Sequence, residues 1–316
     1  MATAAIAKKR KPGMTKRARR EAIIFYICVA PWLLGFLFFT AGPMIISLVL
    51  SFTKWDILTP PVFIGLQNYI QAIEYDPNVG QALKVTVTYT VFQVPLRLLT
   101  ALLLAMLLNE ATHGVSIFRT AFYLPSIVSS VAAAVLFTWI FNPAYGPING
   151  FLGLFGIQGP TWFQDPNYAL LGLIIMSPWG VGGEMLIFLA GLKGIPKSLY
   201  EAAEIDGAGR LAQFFNITIP MLSPTLFFNL VMAIIGSFQT FDTAYIISTA
   251  HAGSAGDPLK STLFFMIYVY KEGFSSLRMG YASALAWILF VIIMILTLLV
   301  LRSSDAWVYY ETERKN

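Results

Sequence analysis

Six long apolar stretches dominate this sequence and constrain its fold more than any other feature. Each is long enough to cross the hydrocarbon core of a bilayer, which takes roughly 20 apolar residues in a helix. They cover residues 23–50, 85–108, 121–141, 168–192, 221–248 and 281–301. Only 12% of the residues are charged, against about 25% in soluble domains. The sequence therefore predicts an all-α integral membrane protein with six transmembrane helices, and it excludes a soluble enzyme.

Two further segments need separate interpretation. The apolar run 263–270 is too short to span a bilayer and is predicted to be interfacial or re-entrant. The first stretch follows a basic tail, but its apolar core is too long for a signal peptide and no clear cleavage site follows it. We therefore expect a disordered basic tail over 1–20 and one six-span domain over 21–316.

The distribution of Lys and Arg predicts the orientation of the chain. With a cytoplasmic N-terminus, fifteen of these residues lie on the cytoplasmic side and five on the opposite side, while Arg97 lies within a span. Cytoplasmic loops of membrane proteins carry this excess of positive charge. Both termini are therefore predicted to be cytoplasmic. The basic tail is explained by topology and by contact with anionic lipid, and nucleic-acid binding is not required.

The connection 193–220 between the fourth and fifth spans differs from an ordinary short loop. Ser198 and Glu201 have the spacing of a capping box at the start of a helix over 198–205. Gly207 and Gly209 are expected to end that helix, and a second one can begin at Arg210. This helix, turn and helix carries more apolar residues than a solvated loop needs, with acidic residues next to them, which suits docking onto another protein. A linker that folds back onto the bundle is the alternative.

Three ionisable residues, Arg97, Glu184 and Asp242, lie within the predicted spans, where charges usually face a bundle interior or a water-filled cavity. Near the two acids lie hydroxyl, amide and aromatic side chains, which suit the hydroxyl groups and apolar faces of a sugar. They include Ser177 and Gly180 beside Glu184, and Ser237, Gln239 and Thr240 before Asp242. Alternatively, both acids satisfy helix breaks or contacts between helices. Arg97 is expected to pair within the bundle, with one of these acids as a candidate partner.

Several motifs resemble those of a known transporter family. The pattern Glu201-Ala202-Ala203, three residues, Gly207, nine residues, Ile217-x-Ile219-Pro220 resembles the EAA loop of ABC importer permeases, with Ile219 where Leu is usual. Similar strings begin at Ser51 (SFTKWD), Gly65 (GLQNY), Phe118 (FRTAFYLP), Ile195 (IPKSLYEAAEIDGA) and Gly236 (GSFQTFD). The chain is thus similar to type I importer permeases of the carbohydrate-uptake, MalF-like or UgpA-like, branch along nearly its whole length.

The resemblance implies a transmembrane permease in a bacterial or archaeal cytoplasmic membrane that imports a sugar by alternating access. Its partners would be a second homologous permease, two ATPase subunits and an external solute-binding protein. ATP and Mg would be bound by the ATPase, with no cofactor on this chain. The coupling residues implied are Glu201, Ala202, Ala203, Asp206, Gly207, Arg210 and Pro220. The substrate pathway implied comprises Ser177, Gly180, Val181, Glu184, Ser237, Gln239, Thr240 and Asp242.

Other functional classes find less support in the sequence. It contains no phosphate-binding G-x-x-x-x-G-K-[ST] motif and none of the hydrolase motifs, and its two histidines cannot form a multi-histidine metal centre. No catalytic residue and no metal site are therefore predicted, and we do not expect an enzyme. An ion-driven secondary transporter that uses Glu184 or Asp242 is one alternative, although inverted repeats are not visible. A membrane-embedded scaffold or sensor is another.

Overall fold

The structure is a computed structural model that describes residues 15–110 and 113–309. Most of these residues are helical. The α-helices are α1 Lys16–Phe36, α2 Gly42–Ser51, α3 Gln67–Ile70, α4 Pro77–Glu110, α5 Val115–Tyr123, α6 Ser130–Ile140, α7 Pro147–Leu154, α8 Ala169–Met176, α9 Gly182–Gly194, α10 Lys197–Ile205, α11 Arg210–Gln213, α12 Ile219–Phe238, α13 Asp242–Ala252, α14 Phe265–Tyr270 and α15 Met279–Trp307. Short 3-10 turns cover Leu124–Ile127, Trp162–Gln164 and Ser177–Gly180, and π-helical turns cover Leu37–Ala41, Gln71–Tyr75, Phe214–Thr218 and Lys271–Ser275.

The predicted tail lies mostly outside the described residues. Helix α1 begins at Lys16, where the side chain of Thr15 accepts a hydrogen bond from the backbone N–H of Ala18 and caps the helix. The last five residues of the predicted tail are therefore helical. The basic residues Arg314 and Lys315, which entered the orientation argument, also lie outside the described part of the chain.

Four helical segments are long and apolar enough to cross a membrane, and two bent pairs raise this number to six if each pair is one span. The four are Lys16–Ser51, Pro77–Glu110, Arg210–Ala250 and Met279–Trp307. The bent pairs occupy the third and fourth predicted spans, with angles of 99° and 50°. The prediction of six transmembrane helices is therefore supported as four to six candidate spans, two of them interrupted.

The 99° bend shows that 121–141 is not one continuous helix. Pro125 lies in the 3-10 turn that follows α5, where its missing N–H interrupts α-helical hydrogen bonding. The chain then extends at Val128, and the Ser129 side chain caps α6 by accepting from the backbone N–H of Ala132. Apolar length alone could not reveal this interruption.

Helix α4 runs through the centre of the bundle and contributes to both apolar clusters of the core. Its residues up to Tyr89 join a cluster with Phe163, Phe264 and Phe265, whereas its residues from Val94 join a second cluster around Phe188. Helices α8 and α9 divide between the two clusters in the same way, since α8 packs in the first and α9 in the second. Where the two clusters meet, these segments carry buried polar side chains, Thr90 and Gln93 on α4 and Ser177 directly after α8, which we call the polar layer.

A small sheet interrupts the otherwise helical fold, which the sequence did not predict. Strands β1 Thr53–Lys54 and β2 Val62–Phe63 pair antiparallel after the first span. The buried Asn68 side chain donates to the carbonyls of Ser51 and Thr53, at 2.8 and 2.9 Å, and ties this hairpin to α3. Two-residue strands carry no detectable alternation, so hydrophobic periodicity could not predict them.

The short apolar run 263–270 is buried in the bundle. It forms α14, which packs on α4 and α15, and the side chains of Phe265 and Ile267 are fully buried. The backbone N–H of Phe265 donates to Thr86 on α4 over 2.9 Å. The run is not among the candidate spans of the described residues, as expected from its length. It packs in the core, and its interfacial or re-entrant placement stays a prediction.

Candidate functional site

A cavity of about 630 Å³ lies where the fourth and fifth predicted spans break. Its walls come from α4, α6, α8, α9, α12, α13 and the turns between them. Seven of the eight predicted pathway residues line it: Ser177, Gly180, Glu184, Ser237, Gln239, Thr240 and Asp242. The eighth, Val181, is 2% exposed and packs in the second apolar cluster. The cavity therefore coincides with the polar layer between the two clusters.

The Arg97 side chain hydrogen-bonds the backbone carbonyls that are left free at the break in the fourth span. Its Nε and Nη2 both lie 2.8 Å from Oε1 of Glu184, so the two side chains form an ion pair. Its Nη1 donates to the carbonyl of Ser177 over 3.3 Å and its Nη2 to the carbonyl of Gly180 over 2.7 Å. These carbonyls belong to the 3-10 turn between α8 and α9, where α-helical bonding stops. The predicted pairing of Arg97 within the bundle is confirmed.

This arrangement gives Glu184 a structural task. Its carboxylate neutralises a guanidinium that is engaged with two backbone carbonyls, and both side chains are about one-quarter exposed. A charge-assisted hydrogen bond is stronger than a neutral one, so the guanidinium is held firmly. The geometry supports the interpretation in which Glu184 satisfies a helix break, while the carboxylate also borders the cavity.

The fifth predicted span breaks at 239–241, between α12 and α13. Asp242 opens α13, where the partial positive charge of a helix N-terminus favours a carboxylate. Its Oδ2 accepts from the hydroxyl of Ser130 on α6 over 3.1 Å. Unlike Glu184, Asp242 is exposed and has no cationic partner within 4.0 Å among the described residues. Asp242 is therefore available to a polar molecule in the cavity.

The hydroxyl of Ser237 is used inside the protein. It is buried and contacts Oγ1 of Thr90 on α4 at 2.9 Å and the carbonyl of Ile234 at 2.8 Å. The hydroxyl of Thr90 donates in turn to the carbonyl of Thr86 over 2.8 Å. Ser237 therefore joins two helices across the polar layer, and its hydroxyl has little capacity left for a ligand.

Aromatic rings complete the cavity wall. Phe137 and Trp179 meet edge to face with centroids 5.7 Å apart, and Trp179 is 41% exposed. Phe241 stacks on Tyr245, which lies behind it, with centroids 5.1 Å apart. Ring faces beside hydroxyl, amide and carboxylate groups suit a molecule that combines apolar CH faces with hydroxyls.

Sequence reasoning missed two cavity residues on α4, Tyr89 and Gln93. Together with Arg97 they lie at i, i+4 and i+8, so they form one stripe on a single face of the helix. A search for polar residues four apart within an apolar span would have found them, because Arg97 had already been singled out.

The connection between α9 and α12 forms the predicted helix, turn and helix. Helix α10 begins at Lys197 after Pro196, and no side chain caps its N-terminus, so the predicted capping box of Ser198 and Glu201 is wrong. The helix ends where Gly207 adopts φ +79°. There the N–H of Ala208 donates to the carbonyl of Ala203 over 2.8 Å, and the N–H of Gly207 donates to Glu204 over 3.0 Å, which is a Schellman motif.

The second helix of this connection continues into the fifth span. Helix α11 passes through the π turn Phe214–Thr218 into α12, with Pro220 in the first turn of α12. The widened turn lies where an α-helical turn would press the proline ring against the carbonyl of residue 216. Pro220 therefore lies inside a continuous helical segment. Any motion of α11 is thus connected to the span that borders the cavity.

The outer face of the connection is open. Ile205 is 86% exposed and Leu211 is 76% exposed. Of the predicted coupling residues, Glu201, Ala202, Asp206, Gly207 and Arg210 are exposed, while Ala203 and Pro220 are half-buried. A 2.9 Å hydrogen bond between the hydroxyls of Tyr200 and Thr218 fastens α10 to the base of the fifth span. The segment is therefore attached to the bundle and still presents an apolar, partly acidic surface.

Within residues 15–110 and 113–309, no group of three or more His, Cys, Asp or Glu side chains could hold a metal ion.

Comparisons with known proteins place the chain in a family. Residues 115–309 match the family model described as "Binding-protein-dependent transport system inner membrane component". The probable ABC transporter permease protein YesP of Bacillus subtilis (strain 168) is 46% identical over 303 residues, which cover 95% of this chain and 96% of that protein. The arabinooligosaccharides transport system permease protein AraP of the same organism is 32% identical and covers 89% and 88% of the two chains.

The fold also matches a solved transporter. A chain of the bacterial alginate ABC transporter, solved in complex with an alginate pentasaccharide-bound periplasmic protein, superposes with a TM-score of 0.78. The match covers 92% of this chain and 96% of that one at 22% sequence identity. At this identity the likeness shows the shared permease fold of a type I importer.

Proposed function

Because the chain belongs to the family of inner membrane components of binding-protein-dependent transport systems, we propose that it forms one half of the pore of an ABC importer for saccharides. A second, homologous permease would supply the other half. Two copies of an ATPase would bind ATP and Mg, and an external binding protein would deliver the cargo. The chain is a transport permease and not an enzyme.

The observation that carries the cargo assignment is the cavity at the helix breaks. Its volume, about 630 Å³, lies within the roughly 300–1,000 Å³ of typical ligand pockets. Gln239, Thr240 and Asp242 offer hydrogen bonds there, beside the faces of Trp179 and Phe241. A saccharide needs both kinds of contact, and the transport of arabinooligosaccharides by a relative is in keeping with this cargo.

The helix–turn–helix formed by α10 and α11 is the proposed coupling element. The exposed Ile205 and Leu211 would enter an apolar groove of the ATPase, and Glu201 would pair with a basic residue there. Ala202 and Ala203 would permit close approach, Gly207 provides the turn, and Asp206 and Arg210 flank it. Because α11 continues into α12 through the turn before Pro220, movement at the ATPase would reach the cavity directly.

We place the protein in the cytoplasmic membrane with both termini inside, as the excess of Lys and Arg on that side favours. In this orientation α10 and α11 face the cytoplasm. The β1–β2 hairpin, α7 and the segment before α14 face outward, where a binding protein would dock. Six spans follow if each bent pair crosses the membrane. ATP-driven alternation of the two permeases would expose the cavity outward and then inward.

The test is ATP-driven uptake in proteoliposomes that contain the full complex, with Glu201→Lys as the diagnostic variant. We expect the variant to assemble its own helices normally but to lose binding of the ATPase and, with it, uptake. Glu74→Lys makes the same charge reversal in the exposed turn before α4 and should retain ATPase binding. Undiminished ATP-driven uptake by Glu201→Lys would refute the coupling role. Gradient-driven uptake by this chain without an ATPase would refute the importer.

A further inference from the structure

The side chain of Gln93 lies in the cavity wall without a hydrogen-bond partner among the described residues. Gln93 is only 6% exposed, and its Oε1 is buried and unpaired. Most buried polar atoms in native proteins are hydrogen-bonded, so an unpaired carboxamide at a cavity indicates a group kept for a ligand. Gln93 lies in the middle of α4, between the two apolar clusters. An apolar side chain there would avoid the cost of burying a polar atom without a hydrogen bond.

The hydroxyl of Ser177 has the same property. Ser177 is 8% exposed, lines the same cavity, and its Oγ is buried without a partner. Its backbone carbonyl accepts from Arg97, which lies one helical turn beyond Gln93 on the same face of α4. The guanidinium therefore fixes the Ser177 turn against the face of α4 that carries Gln93.

The charged groups near this pair are already engaged. Arg97 uses its Nε, Nη1 and Nη2 atoms on Glu184 and on the carbonyls of Ser177 and Gly180. Oε2 of Glu184 still borders the cavity, but the buried atoms without a partner in this part of the wall, Gln93 Oε1 and Ser177 Oγ, belong to neutral groups. These groups are a planar amide, with both a donor and an acceptor edge, and a hydroxyl, which can act as either.

We propose that Gln93 and Ser177 form a hydroxyl-binding subsite for the cargo, with Gln93 as a specificity-determining residue on the second span. Two adjacent hydroxyls of a saccharide match the carboxamide, because one can donate to Oε1 while the other accepts from Nε2. The Ser177 hydroxyl completes the contact from the turn that Arg97 holds against α4. This inference rests on the proposed function, since it assumes that a saccharide passes through this cavity.

Such a subsite discriminates by leaving its own polar atoms unpaired when a cargo hydroxyl is missing. Sites built to hydrogen-bond a hydroxyl reject deoxy analogues much more strongly than apolar pockets reject a missing methylene. We therefore expect this chain to contribute chemical selectivity of its own, in addition to the selection made by the binding protein.

Gln93→Met tests the proposal, because Met has similar length and flexibility but cannot form these hydrogen bonds. The full complex is reconstituted with saturating binding protein, and the uptake rate is measured for arabinotriose, maltotriose and trigalacturonate and for a deoxy analogue of the best of these. Loss of two neutral hydrogen bonds should lower the rate of the best saccharide about tenfold. Thr100→Val removes a polar group from α4 away from the cavity and should change the rate by less than about twofold.

Stability separates this role from a structural one. An unpaired buried amide contributes no bond to the fold, so Gln93→Met should keep or raise the melting temperature while uptake falls. The ratio of the wild-type uptake rate to the Gln93→Met uptake rate should also fall toward one for the deoxy analogue. Equal uptake by the two proteins would overturn the subsite but leave saccharide import intact. Failure of the wild type to take up any of the three saccharides with ATP would overturn both the subsite and the proposed cargo.

Discussion

Removal of the Arg97 guanidinium should cost more stability than removal of the Glu184 charge, although the two form one ion pair. Arg97→Met deletes the contact with Glu184 and also both bonds to the carbonyls of Ser177 and Gly180. It leaves the Glu184 carboxylate without its cationic partner and exposes the break between α8 and α9. Glu184→Gln removes the charge but keeps an oxygen that can accept from Arg97, and it leaves the two carbonyl bonds in place.

The magnitude follows from the burial of the pair. Exposed ion pairs contribute about 0–1 kcal/mol, and breaking a fully buried pair costs about 3–5 kcal/mol. The side chains of Arg97 and Glu184 are 24% and 21% exposed, so their coupling energy should lie between these limits, at about 2 kcal/mol. With the lost carbonyl bonds, Arg97→Met should lower the free energy of unfolding by about 3–4 kcal/mol and Glu184→Gln by about 1–2 kcal/mol.

A double-mutant cycle measures this coupling, with unfolding followed by far-UV circular dichroism as SDS is added to mixed micelles. The chain supplies its own control in the pair Arg17 and Glu21, whose side chains are 90% and 65% exposed at 3.0 Å. Arg17→Met and Glu21→Gln should couple by less than about 0.5 kcal/mol. The reasoning is refuted if both cycles give the same small coupling, or if Glu184→Gln destabilises more than Arg97→Met.

Three further predictions concern the turn of the proposed coupling element and the outer end of the bundle. Gly207→Ala must hold φ +79° and should lower the free energy of unfolding by about 1–2 kcal/mol, whereas Gly209→Ala, at φ −72°, should cost much less in the same titration. Burial raises the pKa of Asp76, but hydrogen bonds donated by two tyrosine hydroxyls and a backbone N–H, together with a nearby guanidinium, outweigh burial and hold this pKa below its ordinary value of 3.8. The ionised carboxylate should therefore stabilise the fold fully above about pH 5, and this stabilisation should be lost as the pH falls through the lowered pKa. The difference in melting temperature between the wild type and Asp76→Asn should accordingly shrink in acid. A Cβ on Gly280 would lie 2.0 Å from a carbonyl oxygen of β1, so Gly280→Ala should lower the melting temperature, while Gly236→Ala, which meets nothing within 4 Å, should leave it nearly unchanged.

The sequence predicted the membrane class and the helix, turn and helix between the fourth and fifth spans because both depend on local properties. Apolar length predicts spans, and a helix that ends at Gly207 is readable from short-range spacing. The 99° bend after α5 was not predictable, since a span can also contain a proline without bending sharply when its neighbours satisfy the freed backbone groups. Whether a span bends depends on residues far away in the sequence that hydrogen-bond the freed backbone groups. At the break in the fourth span, for example, Arg97 donates to the carbonyl of Gly180, 83 positions away.

The breaks within the fourth and fifth predicted spans explain why a site exists there. An uninterrupted helix satisfies its own backbone and presents only side chains, so six continuous helices would leave two apolar clusters in contact. The breaks at 177–180 and 239–241 free backbone carbonyls and a helix N-terminus within the bundle, and these require Arg97 and favour Asp242. The polar layer with its cavity thus follows from the interruptions, and functional residues concentrate where local rules and the global fold disagree.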